Sequence, residues 1–159
     1  MYKKILLAVD GSDQSNRARD KAIELAKDFD SRLVAFHAVE YRAAPKRFRM
    51  PIIMPFTDNY YYNVPREDYD VLNVQLYKAG ERVLAETNQA FEKENINAEA
   101  RLVEDREPEQ YAVERVDEEG FDLVVAGCAG NHSKFERILL GTKAQHILNH
   151  ANCDVLIAR

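Results

Sequence analysis

The sequence predicts an α/β fold, a doubly wound sheet of five parallel strands with helices on both faces. Three observations predict it. Strand-like runs occupy 4–9, 33–39, 98–103, 121–126 and 154–158, the first without polar alternation and the fourth apolar throughout its centre, as in strands covered on both sides. Segments with helical apolar spacing separate these runs, and alternating strands and helices form parallel sheets through right-handed crossovers. Small, glycine-rich words follow the first and fourth runs, and open sheets of this kind bind ligands at the ends of their strands.

The first run ends in Asp10-Gly11-Ser12. Ser12 is a suitable N-cap and Asp13 puts negative charge in the first turn. Ala18, Ala22, Leu25, Ala26 and Phe29 then share a helix face, opposite Arg17, Arg19, Asp20, Lys21 and Glu24. Asp30-Ser31 ends that helix. After the second strand, residues 42–66 hold four of the five prolines, the basic cluster Lys46, Arg47 and Arg49, and Tyr60-Tyr61-Tyr62. That composition predicts an irregular surface excursion. Helical spacing returns from Glu67 to about Asn95, with Leu72, Leu76, Ala79, Val83 and Ala90 inward. Pro108 suits a first helical position, Glu107 and Glu109 favour the same end, and Gly120 suits the exit. Tyr111, Ala112 and Val116 form the inner stripe of this helix. A short helix over 142–150 turns Ala144, Ile147 and Leu148 inward, before the last strand.

Length and composition bound the function. At 159 residues the chain is expected to be one domain, 1–159. A net charge of −5 supplies no field for DNA or RNA, so nucleic acid is not an expected partner. No apolar stretch approaches the ~20 residues of a membrane span, so membrane insertion is not expected. Cys128 and Cys153 have no metal-type spacing, and the N-terminus lacks a signal-peptide pattern. Free thiols and a cytoplasmic location are the expectation. His146 and His150 stand one helical turn apart, which can chelate a metal, although exposed helix positions also explain them.

Two segments converge at the strand ends. One is Ala8-Val9-Asp10-Gly11-Ser12; the other is Gly127-Cys128-Ala129-Gly130, leading to Gly141-Thr142. Glycines let backbone N–H groups turn toward an anion, and a helix starting at Thr142 adds unpaired donors and a positive dipole end. The Thr142 hydroxyl can donate to phosphate or coordinate a cation. Lys134 and Arg137 can offset phosphate charge, or are solvated loop charges. Asp10 can accept from a nucleoside donor, or caps the first helix.

Gly127-x-x-Gly130 with Gly141-Thr142 resembles the glycine signature of the universal stress protein family. The words 3–12, 122–127, 138–142 and 153–157 are similar to that family as well, so the resemblance spans nearly the whole chain. It implies a Rossmann-like sheet of order 3-2-1-4-5 and ATP as ligand, with Mg2+ or Mn2+. It places Asp10 and the backbone near Ala38 at the adenine, Gly127 and Gly130 at the ribose and phosphates, and Gly141 and Thr142 at phosphate. Ten residues separate Gly130 from Gly141 where the signature has nine. Arg106 stands where glycine is frequent and can point at a phosphate. The resemblance also implies a homodimer through Asp154 to Ala158 and a nucleotide-dependent stress-response or signalling role. The alternative is a nucleotide-free dimeric interaction protein. No Ser-His-Asp grouping, nucleophile elbow or P-loop is present. The chain is therefore expected to bind nucleotide rather than act as an enzyme, with slow ATP hydrolysis left open.

Overall fold

The computed structural model describes residues 1–41, 49–52, 60–63, 66–128 and 141–159, with 49–52, 60–63 and 66–68 as backbone alone. In chain order the elements are β1 (Lys4–Ala8), α1 (Asp13–Phe29), β2 (Arg32–Val39), β3 (Arg49–Ile52), β4 (Tyr60–Asn63), α2 (Arg66–Glu94), β5 (Ala98–Glu104), α3 (Pro108–Glu119), β6 (Leu123–Gly127), α4 (Thr142–His150) and β7 (Asp154–Ala158). Five of the strands form one parallel sheet in the order β5-β2-β1-β6-β7. Numbered as the strands of that sheet, this is 3-2-1-4-5, as the resemblance implied.

Ile5, Leu6 and Leu7 at the centre of β1 are wholly buried because both faces of the sheet are covered. Ile5 and Leu7 join Ala18, Ala22, Leu33 and Leu84 in the core beneath α1 and α2. Leu6 points the other way, into a core with Val34, Phe36, Ala112, Val116 and Ile147 beneath α3 and α4. Alternation of side chains across a strand makes these two cores from one apolar run.

The caps follow the sequence. The Ser12 hydroxyl accepts from Ser15 N at 3.1 Å and opens α1, while Asp30 at φ 51° ends it. Pro108 starts α3, and Gly120 at φ 69° closes it by donating its N–H to the Val116 carbonyl.

Three expectations need correction. Residues 42–66 are not wholly irregular, since β3 and β4 form an antiparallel ribbon with Pro51 opposite Tyr61. The tyrosine run has high strand preference, and a two-stranded ribbon is all edge, where proline is tolerated. Lys46, Arg47 and the rest of 42–48, 53–59 and 64–65 lie outside the described residues.

On α2 the buried line runs through Gly80, Leu84, Thr87 and Phe91, while Ala79 is exposed. Gly80 brings the helix onto the sheet so closely that a Cβ there would meet His37, Leu102 and Val39 at 2.8–3.0 Å. Thr87 is buried because its hydroxyl donates to the Val83 carbonyl at 2.8 Å. A glycine and a self-satisfied threonine are invisible to a count of apolar residues.

Leu148 is 46% exposed rather than inward, because α4 packs only through the line of Ala144 and Ile147.

Candidate functional site

The C-terminal ends of β1, β2 and β6 and the first turns of α1, α3 and α4 surround a cleft of about 180 Å³. Parallel topology creates it. β1 connects outward to β2 on one side and neighbours β6 on the other, so helices leave in opposite directions and a crevice opens between them.

Five residues expected from the sequence line this cleft: Ala8, Val9, Asp10, Ala38 and Gly127. Gly141 is the N-cap of α4 and Thr142 its first residue, and the next two residues, Lys143 and Ala144, line the cleft. Gly141 has no side chain to cap with, so no N-cap side chain takes up the amides of the first turn of α4, the kind of donor set that binds anions. Gly130, Lys134 and Arg137 lie outside the described residues. Arg106 is held by Glu114, with Nη1 donating at 2.7 and 3.0 Å to the two carboxylate oxygens.

Asp10 is exposed, and its Oδ1 accepts from Ser12 N at 2.9 Å, a local turn that fixes the carboxylate at the mouth of the first strand. Its backbone N–H donates to the Ser15 hydroxyl at 3.0 Å. The turn does not use up the carboxylate, because Oδ2 has no partner among the described residues.

Ala38 gains its position from strand parity. Phe36 O accepts from Val9 N, whereas Val39 O accepts from Asp105 N on the opposite side. Ala38, two residues after Phe36, therefore turns its N–H and C=O toward the β1 side, beyond the end of that strand. A donor and an acceptor side by side on a strand edge match the paired acceptor and donor of a nucleobase.

Gly127 is needed for packing as well. A Cβ there would stand 2.8–2.9 Å from the Gln14 and Ser15 backbone at the start of α1.

Sequence reasoning missed four polar residues of the wall: Ser15, His37, Glu109 and Lys143. His37 Nδ1–H donates to the Val9 carbonyl at 2.8 Å, which puts the proton on Nδ1 and satisfies that carbonyl. Lys143 reaches across the mouth to Glu40 at the end of β2, in an ion pair with both side chains about half exposed. Glu109 contributes a carboxylate whose Oε2 is buried without a hydrogen-bond partner among the described residues. The signals for Glu109 and Lys143 were in the sequence, one residue beyond Pro108 and one beyond Thr142, but Glu109 read as an ordinary helix-end charge and nothing in the sequence singled out Lys143.

Elsewhere the chemistry is quiet. The His146 and His150 rings stack at 4.2 Å, and His150 Nδ1–H donates to the His146 carbonyl at 2.8 Å. Among the described residues no group of three or more His, Cys, Asp or Glu is placed to hold a metal. Burial pushes the Cys153 thiol up to about 11, so it is protonated and inert at neutral pH. A larger groove of about 600 Å³ runs along α2 beside Tyr41 and Tyr77, walled by side chains of one helix rather than by converging strand ends. Among the described residues no helix is long and apolar enough to cross a membrane.

A universal stress protein of Methanocaldococcus jannaschii is 29% identical over 160 residues, covering all of this chain and 83% of that protein. The solved universal stress protein UspA of Lactobacillus plantarum superposes with a TM-score of 0.74 at 21% identity, covering 99% of this chain and 98% of that one. A universal stress protein solved in complex with cAMP is 27% identical, with a TM-score of 0.67 over 99% of this chain and 97% of that one. The Universal stress protein family matches residues 1–159, and the chain belongs to that family.

Proposed function

We propose that the cleft binds an adenine nucleotide, ATP in the first instance, and that occupancy rather than turnover is the output. The observation that carries this reading is the pairing of two features across one crevice. The Ala38 backbone edge suits a base at one end, and the uncapped first turn of α4 with Lys143 suits phosphates at the other. The 27% identical relative bound to cAMP supports the same ligand class. A divalent cation, Mg2+ or Mn2+, would accompany the phosphates and neutralise part of their charge, with the Thr142 hydroxyl at the start of α4 as the protein group that would hold it.

The chain further pairs with a second copy through β7, the edge strand next to β6, and works in the cytoplasm as a nucleotide-dependent stress-response module. Thermal unfolding with Mg-ATP tests the central point. At a hundred times the dissociation constant, binding adds about 2.7 kcal/mol to stability, which raises the melting temperature by several degrees. An unchanged melting temperature at millimolar Mg-ATP overturns the proposal in favour of a nucleotide-free interaction protein. Phosphate release above background would instead make the protein a slow ATPase.

A further inference from the structure

Glu109 does not behave as a helix-end charge alone. A carboxylate in the first turn of α3 is favoured by the helix dipole while it stays in water. Here Oε2 is buried with no hydrogen-bond partner among the described residues, although Glu109 as a whole is partly exposed, and the side chain lies on the wall of the cleft. A buried acceptor left unpaired is costly and uncommon, because it has lost water and gained nothing in return. Such a group is completed by an ordered water or by a ligand that brings a donor into the cleft.

The topology fixes which end of the ligand that is. α3 enters from β5, on the outer side of β2, and its Tyr111 packs on Phe36 of β2 at 4.8 Å between ring centroids. α4 enters from β6, on the other side of β1. A ligand with phosphates on the first turn of α4 therefore extends its nucleoside half toward β2 and α3. Phosphate oxygens are acceptors and repel a carboxylate, whereas a nucleoside offers N–H and O–H donors.

We infer that Glu109 is a specificity residue of the cleft, accepting a hydrogen bond through its buried oxygen from an N–H or O–H group on the nucleoside half of the ligand. This rests on the nucleotide reading above. It selects nucleosides over bare polyphosphate, and it makes the α3 end of the cleft a reader of the ligand rather than a wall.

The test uses the full chain with Glu109→Leu, which removes the acceptor at similar bulk, and Glu109→Gln, which retains one acceptor. Dissociation constants are measured for ATP, 2′-deoxy-ATP, 3′-deoxy-ATP, inosine triphosphate and tripolyphosphate. Glu109→Leu is expected to weaken ATP roughly tenfold or more and Glu109→Gln by less, as befits a lost bond to a charged acceptor. Tripolyphosphate is expected to bind both variants no more weakly than the wild type. The analogue that lacks the bonded donor is discriminated against by the wild type, and that discrimination disappears in Glu109→Leu. The ligand-free Leu variant is expected to melt at or above the wild-type temperature, since an unpaired buried oxygen has been removed. Unchanged ATP affinity in the Leu variant, or discrimination among all analogues that persists in it, overturns the inference while leaving nucleotide binding intact. A wild type that binds none of the five probes overturns both.

Discussion

At the mouth of the cleft, Lys143 has two possible anions, the Glu40 carboxylate it holds now and a ligand phosphate. The pair is half exposed, so it contributes little to folding and is easily exchanged. Competition between the two anions has a sign that a structural role lacks. Glu40→Gln should raise ATP affinity severalfold, Lys143→Met should lower it by a similar factor, and adenosine should respond to neither; titration calorimetry at low and high salt checks this. Gly127 carries the opposite lesson. Its missing Cβ is required by the backbone of α1, so Gly127→Val should cost about 1–3 kcal/mol in urea unfolding whether or not nucleotide binds. Loss of ATP binding in that variant reports packing first. The residues legible in the sequence were those whose placement needs only a strand end or a helix start, such as Asp10, Gly127 and Gly141. Glu109 and Lys143 were not, because their roles depend on which wall the helices turn toward the crevice.

Elements were readable where apolar spacing decides them and less so where polar atoms do. The β1, β2 and β6 runs are buried on both faces, and no alternation was present to mislead. α2 shows the failure, since Gly80 and Thr87 alternate with Leu84 and Phe91 on its buried line, and the apolar residues expected inward flank that line. The α3–β5 pairing rests on another polar device. Arg101 of β5 donates at 2.7 Å to both Glu99 and Glu119, tying the end of α3 to the strand. The Arg101 hydrogen bond holds both carboxyls below their ordinary value of 4.5, assisted at Glu99 by Arg32. A carboxylate with a lowered folded value contributes stability above its unfolded value and loses it as pH falls through the folded one. Urea midpoints should therefore fall as the pH drops below 4.5, and Arg101→Leu should lower the neutral-pH midpoint and flatten that acid limb. An acid limb of unchanged steepness in the variant would remove Arg101 from the account.

For the whole molecule, the sheet order and the crevice it creates followed from alternating strands and helices together with the family resemblance. The ribbon of β3 and β4 did not, because prolines and basic residues masked the strand preference of the tyrosines. The exposed edge of β7 sets the expected assembly. Asp154 N donates to Asp122 O, and Ala158 O accepts from Cys128 N, so the alternate residues Val155 and Ile157 turn their amides outward. Ile157→Pro removes an outward donor while keeping the inward ladder, and should convert a dimer to a monomer in sedimentation without loss of ATP affinity. A dimer that survives the substitution places the interface elsewhere.

The functional expectations turn on the crevice at the ends of β1, β2 and β6 holding an adenine nucleotide. Equilibrium dialysis of the purified chain against labelled Mg-ATP measures that directly. One nucleotide per chain, displaced by unlabelled ATP and weakened by salt, is the predicted result. Retention no greater than that of free dialysis buffer at millimolar nucleotide would contradict it.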